Sequence, residues 1–155
     1  MESRYYEELN PGDTFRTPGR TIDQGDINRF AGLSGDHHQL HTDEEYSRNG
    51  LFGKRVAHGI LTLAITSGLL WRLGIFEKSG LGHLGSTEKY LKPVFAGDTL
   101  YAEMEILSKR PMAEGRGIIA ARVNTKNQKD EIVLTQEMNV MVRCRPVAGT
   151  ASAGQ

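Results

Sequence analysis

The run Ser34-Gly35-Asp36-His37-His38-Gln39-Leu40-His41-Thr42-Asp43 gathers two carboxylates and three imidazoles, directly after a glycine. Asp36 and His41 stand five residues apart. On a helix they would point about 140° away from each other, and on a strand they would face opposite sides. An irregular loop, which Gly35 favours, would let both reach one water or one proton-bearing atom, the arrangement for general acid/base chemistry. Plainer roles remain open: Asp36 as a turn cap and His41 as a packed histidine. His37 with His41 has the i, i+4 spacing of a zinc pair, and His38 with His41 the i, i+3 spacing. No thiol pair or second Asp/His cluster accompanies them, so no metal is expected.

A second stretch, Ala57-His58-Gly59, opens the one long apolar segment. The first N–H groups of a helix lack intrahelical acceptors and favour negative charge. A glycine there lets a carbonyl oxygen approach the backbone closely, as stabilisation of a thioester enolate requires. The alternative is a glycine that merely eases entry into the helix.

The scaffold that must hold these stretches together is legible in outline. Residues 1–8 read as a mobile arm or short lead-in. Thr14-Phe15-Arg16 and Arg20-Thr21-Ile22 read as short strands around Pro18-Gly19. Asp23, with Asp26 three residues later, reads as a capping box for a short helix with Ile27, Phe30, Ala31 and Leu33 on one face. Thr42 is expected to cap a further short helix. The central helix should run from about Ala57 to Leu73. It is apolar nearly all round, the mark of a buried helix, although Leu61, Ile65 and Trp71 are also candidates for lining a ligand tunnel. Four strand-like segments follow: His83 to Val94, Thr99 to Arg110, Gly117 to Lys126 and Glu131 to Arg145. Leu100, Ala102, Met104 and Ile106 share one face, as in antiparallel strands with one buried side. These elements form one α+β domain over residues 1–147, with the sheet curled round the helix. A small polar tail, 148–155, is expected to be disordered.

Composition narrows the classes. The chain has 155 residues with 19 Lys plus Arg against 19 Asp plus Glu, a formal net charge of zero. That argues against nucleic acid as the main partner and leaves little repulsion to oppose self-association. The single cysteine, Cys144, excludes a disulfide framework and reads as a small packed hydrophobe. The start is too polar for a secretory leader, and the apolar segment falls short of the roughly 20 residues that span a bilayer. A cytoplasmic protein with no membrane contact is expected.

The blocks Phe30-Ala-Gly-Leu-Ser-Gly-Asp36, Leu40-His41-Thr-Asp43, Phe52-Gly53, Val56-Ala-His-Gly59 and Lys92-Pro-Val-Phe-x-Gly-Asp98 together resemble the MaoC-like acyl-CoA dehydratases, including the R-specific enoyl-CoA hydratases. The resemblance implies the hotdog fold, a long helix wrapped by a curved antiparallel sheet, and a homodimer or dimer-based oligomer. It implies Asp36 and His41 as the catalytic pair and Gly59 as the amide that holds the thioester oxygen. Ser34, His38 and His58 are expected on the substrate side of the site. The implied reaction is reversible syn addition of water to a 2-enoyl-CoA, giving an (R)-3-hydroxyacyl-CoA. Coenzyme A enters as part of the substrate, and no other cofactor is implied. The sequence departs from the family at one place: where the family has Asn-Pro before its aliphatic residue and histidine, this chain has His38-Gln39. Two alternatives stay open, a thioesterase of the same fold and a non-catalytic acyl-CoA-binding module.

Overall fold

The computed structural model describes residues 2–146, so the expected tail lies outside the described residues. Two short strands, β1 (Thr14–Arg16) and β2 (Arg20–Thr21), precede helices α1 (Gln24–Ser34), α2 (Gln39–Thr42), α3 (Glu44–Arg48) and α4 (Gly59–Trp71). Four long strands follow: β3 (Gly80–Tyr90), β4 (Thr99–Met112), β5 (Arg116–Lys126) and β6 (Ile132–Arg143). The sheet runs β1-β4-β5-β6-β3, with β2 also paired to β4, and every pairing is antiparallel.

Alternation drives this sheet. Leu100, Ala102, Met104 and Ile106 of β4 are all buried, as are Ile119, Ala121 and Val123 of β5, and they meet the α4 residues Leu61, Ile65 and Leu69 in one core. Full burial of each large aliphatic side chain favours folding by about 1.5–3 kcal/mol. The α4 threonines are buried without penalty because they are bonded. Thr66 Oγ1 lies 2.8 Å from Thr125 Oγ1 and donates to the Thr62 carbonyl at 2.9 Å. The result is the expected hotdog arrangement, a helix held by a curved sheet. No helix among the described residues is long and apolar enough to cross a membrane.

Several expectations need correction. α4 begins at Gly59 and ends at Trp71 rather than spanning 57–73, and it is not buried all round. Ile60 is 58% exposed and Trp71 64% exposed, because the sheet of one chain covers only one side of the helix. Leu61 and Ile65 are core residues, so none of the three tunnel candidates lines the main cavity of the site described below. The lead-in is not a loose arm. Arg4 N donates to the Ile75 carbonyl at 2.7 Å, Ser79 Oγ donates to the Arg4 carbonyl, and Leu9 is fully buried. Thr42 ends α2 instead of capping the next helix. Asp43 does that, accepting from Tyr46 N at 3.0 Å. β3 starts three residues early and stops at Tyr90, so the chain from 91 to 94 leaves the sheet. It bonds instead to Val133 and, through the Val94 carbonyl, to Ala57 N at 2.7 Å. This strap fixes the start of α4. Cys144 follows β6 half-exposed rather than packed in the core.

Candidate active site

The two chemical stretches converge. Asp36, His41 and His58 bring a side-chain oxygen or nitrogen each to within 4.8 Å of one another. Local sequence explains the path. α1 ends at Gly35, whose φ of 78° is readily accessible to glycine. Asp36 then sits exposed in a tight turn. Its backbone N–H donates to Ser34 Oγ at 3.2 Å, and its Oδ1 accepts from His38 N at 3.3 Å. His38 starts α2 by accepting from Leu40 N on its Nδ1 at 3.0 Å. His41 therefore lies in a helical turn rather than in an irregular loop, and only Asp36 is on the loop proper.

His41 is half-buried, and its Nδ1 lies 2.7 Å from the Val56 carbonyl. A carbonyl only accepts, so Nδ1 carries the hydrogen and Nε2 is left as a bare acceptor. Burial holds the His41 pKa below the usual histidine range. The Val56 bond and the Asp36 carboxylate oppose that shift, while the His58 and His38 rings add to it. A neutral imidazole with a free Nε2 is the form that can take a proton near neutral pH.

His41 and Gly59 line the same cavity of about 330 Å³, whose other walls include Leu40, Phe52, Val94 and Val133. Gly59 is the first residue of α4, so its amide has no acceptor in the preceding turn. Tyr90 from the end of β3 packs over it. A Cβ built on Gly59 would lie 3.1 Å from the Tyr90 ring. Any side chain here would press on the Tyr90 ring directly overhead, which would have to give by a few tenths of an ångström.

The remaining expected site residues take other places. Ser34 is exposed and holds the Asp36 turn, with its own hydroxyl donating to the Phe30 carbonyl at 2.7 Å. His38 is exposed and serves as a helix cap, its ring edge-on to Tyr46 and His41 at 6.0 and 6.3 Å. His58 is only 2% exposed and lies behind the cavity wall. Its ring stacks on His41 with centroids 3.7 Å apart and planes 26° from parallel. Sequence reasoning missed Tyr90 and the Val56 carbonyl, since no residue pattern announces a ring over a distant glycine or a backbone acceptor.

The MaoC like domain model matches residues 7–131. The chain is 36% identical over 104 residues to Protein MaoC of Klebsiella aerogenes, covering 65% of this chain but 30% of that protein. It is 29% identical over 141 residues to the (R)-specific enoyl-CoA hydratase of Rhodospirillum rubrum, covering 91% of this chain and 93% of that one. The crystal structure of the MaoC-like dehydratase from Rhodospirillum rubrum superposes with a TM-score of 0.83 at 31% identity, over 92% of this chain and 99% of that chain.

Proposed function

The chain belongs to the MaoC-like dehydratase family, and from that membership and the site geometry we propose that it is a hydro-lyase acting on 2-enoyl-CoA thioesters. One observation carries this reading: His41, whose Nδ1 is engaged by the Val56 carbonyl so that Nε2 is left bare, and Gly59, the first residue of α4, line one largely apolar cavity. An enoyl thioester seated there puts its carbonyl oxygen on the Gly59 N–H, which stabilises the enolate that forms as water adds. Asp36 and His41 grip the water. As its oxygen bonds C3, one proton passes to the pair, with the bare His41 Nε2 as acceptor, and a proton is returned to C2 on the same face. The product is an (R)-3-hydroxyacyl-CoA, and the reverse sequence is dehydration. The proposed chemistry calls on no metal or redox cofactor.

The same reading includes a homodimer. The exposed side of α4 and the neighbouring strands β3 and β6 frame a mostly apolar groove of about 230 Å³ lined by Ile60, Leu63, Ala64 and Met138, and among the described residues β3 is a free sheet edge. A second copy would cover both.

The deciding experiment mixes the protein with crotonyl-CoA and longer enoyl-CoAs and follows the enoyl absorbance and free thiol together. Loss of the enoyl signal without thiol supports hydration. Thiol release points to a thioesterase, and binding with neither change points to an acyl-CoA-binding module.

A further inference from the structure

His58 is a buried imidazole that none of the steps above uses. Its Nε2 lies 3.0 Å from the backbone carbonyl of Asp36, and because a carbonyl only accepts, Nε2 must carry the hydrogen. Nδ1 is then bare, and among the described residues this buried polar atom has no partner. An unpaired buried acceptor is a cost that an apolar ring at this position would avoid. Packing alone does not call for an imidazole. The ring stacks on His41 and meets Phe30 edge-on at 4.9 Å, contacts that phenylalanine would also make. Capping does not call for it either, since His58 precedes α4 without a side-chain cap bond. What the imidazole alone supplies is the bond to Asp36.

That bond is singular in its reach. The other bonds of Asp36 are local, to Ser34 and His38. The bond from His58 spans 22 residues and is the one link, among the described residues, between the exposed Asp36 and the core helix. The same ring covers one face of His41. The next residue, Gly59, supplies the free amide, one peptide unit away. We propose that His58 is a positioning residue, which holds the Asp36 turn by its Nε2–H in fixed register with the Gly59 amide, while its ring packs on His41. This assigns it a place behind the reacting atoms rather than a contact with substrate, and it rests on the hydro-lyase reading above.

His58→Phe keeps the ring and removes the donor. His58→Gln keeps an N–H at comparable reach and removes the stack. Both are made in the full chain and compared with wild type for kcat, KM, thermal unfolding and the titration of the His41 ring by NMR. Misplacing a catalytic group by about 1 Å costs about 10²-fold, so His58→Phe should lower kcat about 10- to 100-fold with KM little changed, and His58→Gln should recover most of kcat. The groups facing His41 are Asp36, His38 and His58, with Tyr90 and Lys92 on the same cavity. Losing the His58 imidazole removes one influence that lowers the His41 pKa, so both variants should titrate His41 higher. Turnover of His58→Phe equal to wild type overturns the proposal, as do equal losses in the two variants that track their loss of stability. Should His58→Phe fail to fold, His58→Gln decides: retained kcat with a raised His41 titration supports the proposal, and lost kcat overturns it. A wild-type protein that hydrates no enoyl-CoA refutes the hydro-lyase reading instead. The positioning role is then judged by NMR: new mobility of the Asp36 turn in His58→Phe supports it, and an unchanged turn overturns it.

Discussion

Substituting Gly59 by alanine tests the proposed oxyanion site most directly. The new Cβ would lie 3.1, 3.2 and 3.3 Å from three atoms of the Tyr90 ring, so the ring has to yield by a few tenths of an ångström. It can, because Tyr90 is 47% exposed at the end of an edge strand. Overpacking of this kind costs about 1 kcal/mol at its mild end. Alanine in place of glycine in a helix returns up to about 1 kcal/mol, less at a first position. The fold should therefore survive with a nearly unchanged melting curve. Catalysis should not survive so well, because the methyl group and the displaced ring both crowd the approach to the amide. Loss of one oxyanion donor costs about 10²–10³-fold in kcat, so a fall of about 10²-fold is expected, or about 2.7 kcal/mol at 1.36 kcal/mol per tenfold. Steady-state hydration of crotonyl-CoA alongside thermal unfolding measures both quantities. Adding Tyr90→Ala makes room for the methyl without clearing the amide, so the double variant should stay slow. A Gly59→Ala protein turning over within about threefold of wild type would show that this amide does not hold the thioester oxygen.

Asp36→Asn and His41→Ala should each lower hydration about 10²–10⁴-fold while leaving the melting temperature close to wild type, since Asp36 is exposed and neither belongs to the core cluster; full turnover in either variant removes it from the mechanism. Because burial lowers the His41 pKa below the ordinary value of 6.5, the unfolded chain binds that proton more readily than the folded one. Stability should therefore fall as pH drops through 6.5 towards the lowered folded value and level off below it; unfolding curves of wild type and His41→Gln across that range check this, and an unchanged slope refutes it. His38→Asn preserves a capping side chain and should keep both stability and activity, whereas His38→Ala should cost about 0.5–2 kcal/mol, measured by denaturant unfolding. Sedimentation should give a dimer or a multiple of it at micromolar concentration, and Ala64→Arg on the free side of α4 should shift it towards monomer.

Features that depend on neighbours in sequence were legible. Asp23 and Asp26 form the capping box they spell out, and the alternation of Leu100, Ala102, Met104 and Ile106 becomes a buried face. The family blocks named Asp36, His41 and Gly59, and all three converge around α4. What stayed hidden depends on distant backbone. The Val56 carbonyl that sets the His41 tautomer carries no residue signature, and His58 gives no sign in the sequence of the ring it stacks on. The all-round apolar pattern of α4 reads as a fully buried helix, yet Ile60 and Trp71 are exposed, because a pattern does not say which side of the helix the sheet reaches. The strand start at Gly80 was missed because Gly80, Gly82 and Gly85 look like loop residues, whereas here they lie within or beside register breaks.

Those breaks in β3 have a consequence for how the protein coexists with itself at high concentration. Pairing with β6 shifts between Gly80 and Gly82 and again between His83 and Gly85. An uninterrupted free edge would recruit any extended chain, including its own unfolded copies. An edge interrupted twice offers its donors and acceptors in a broken rhythm, which a generic strand cannot follow for long. The remaining straight stretch carries Glu88 and Lys89, charges that a stacked copy in parallel register would set like against like. The border of this sheet thus discourages open-ended fibre growth while leaving a short segment available to a partner of matching shape.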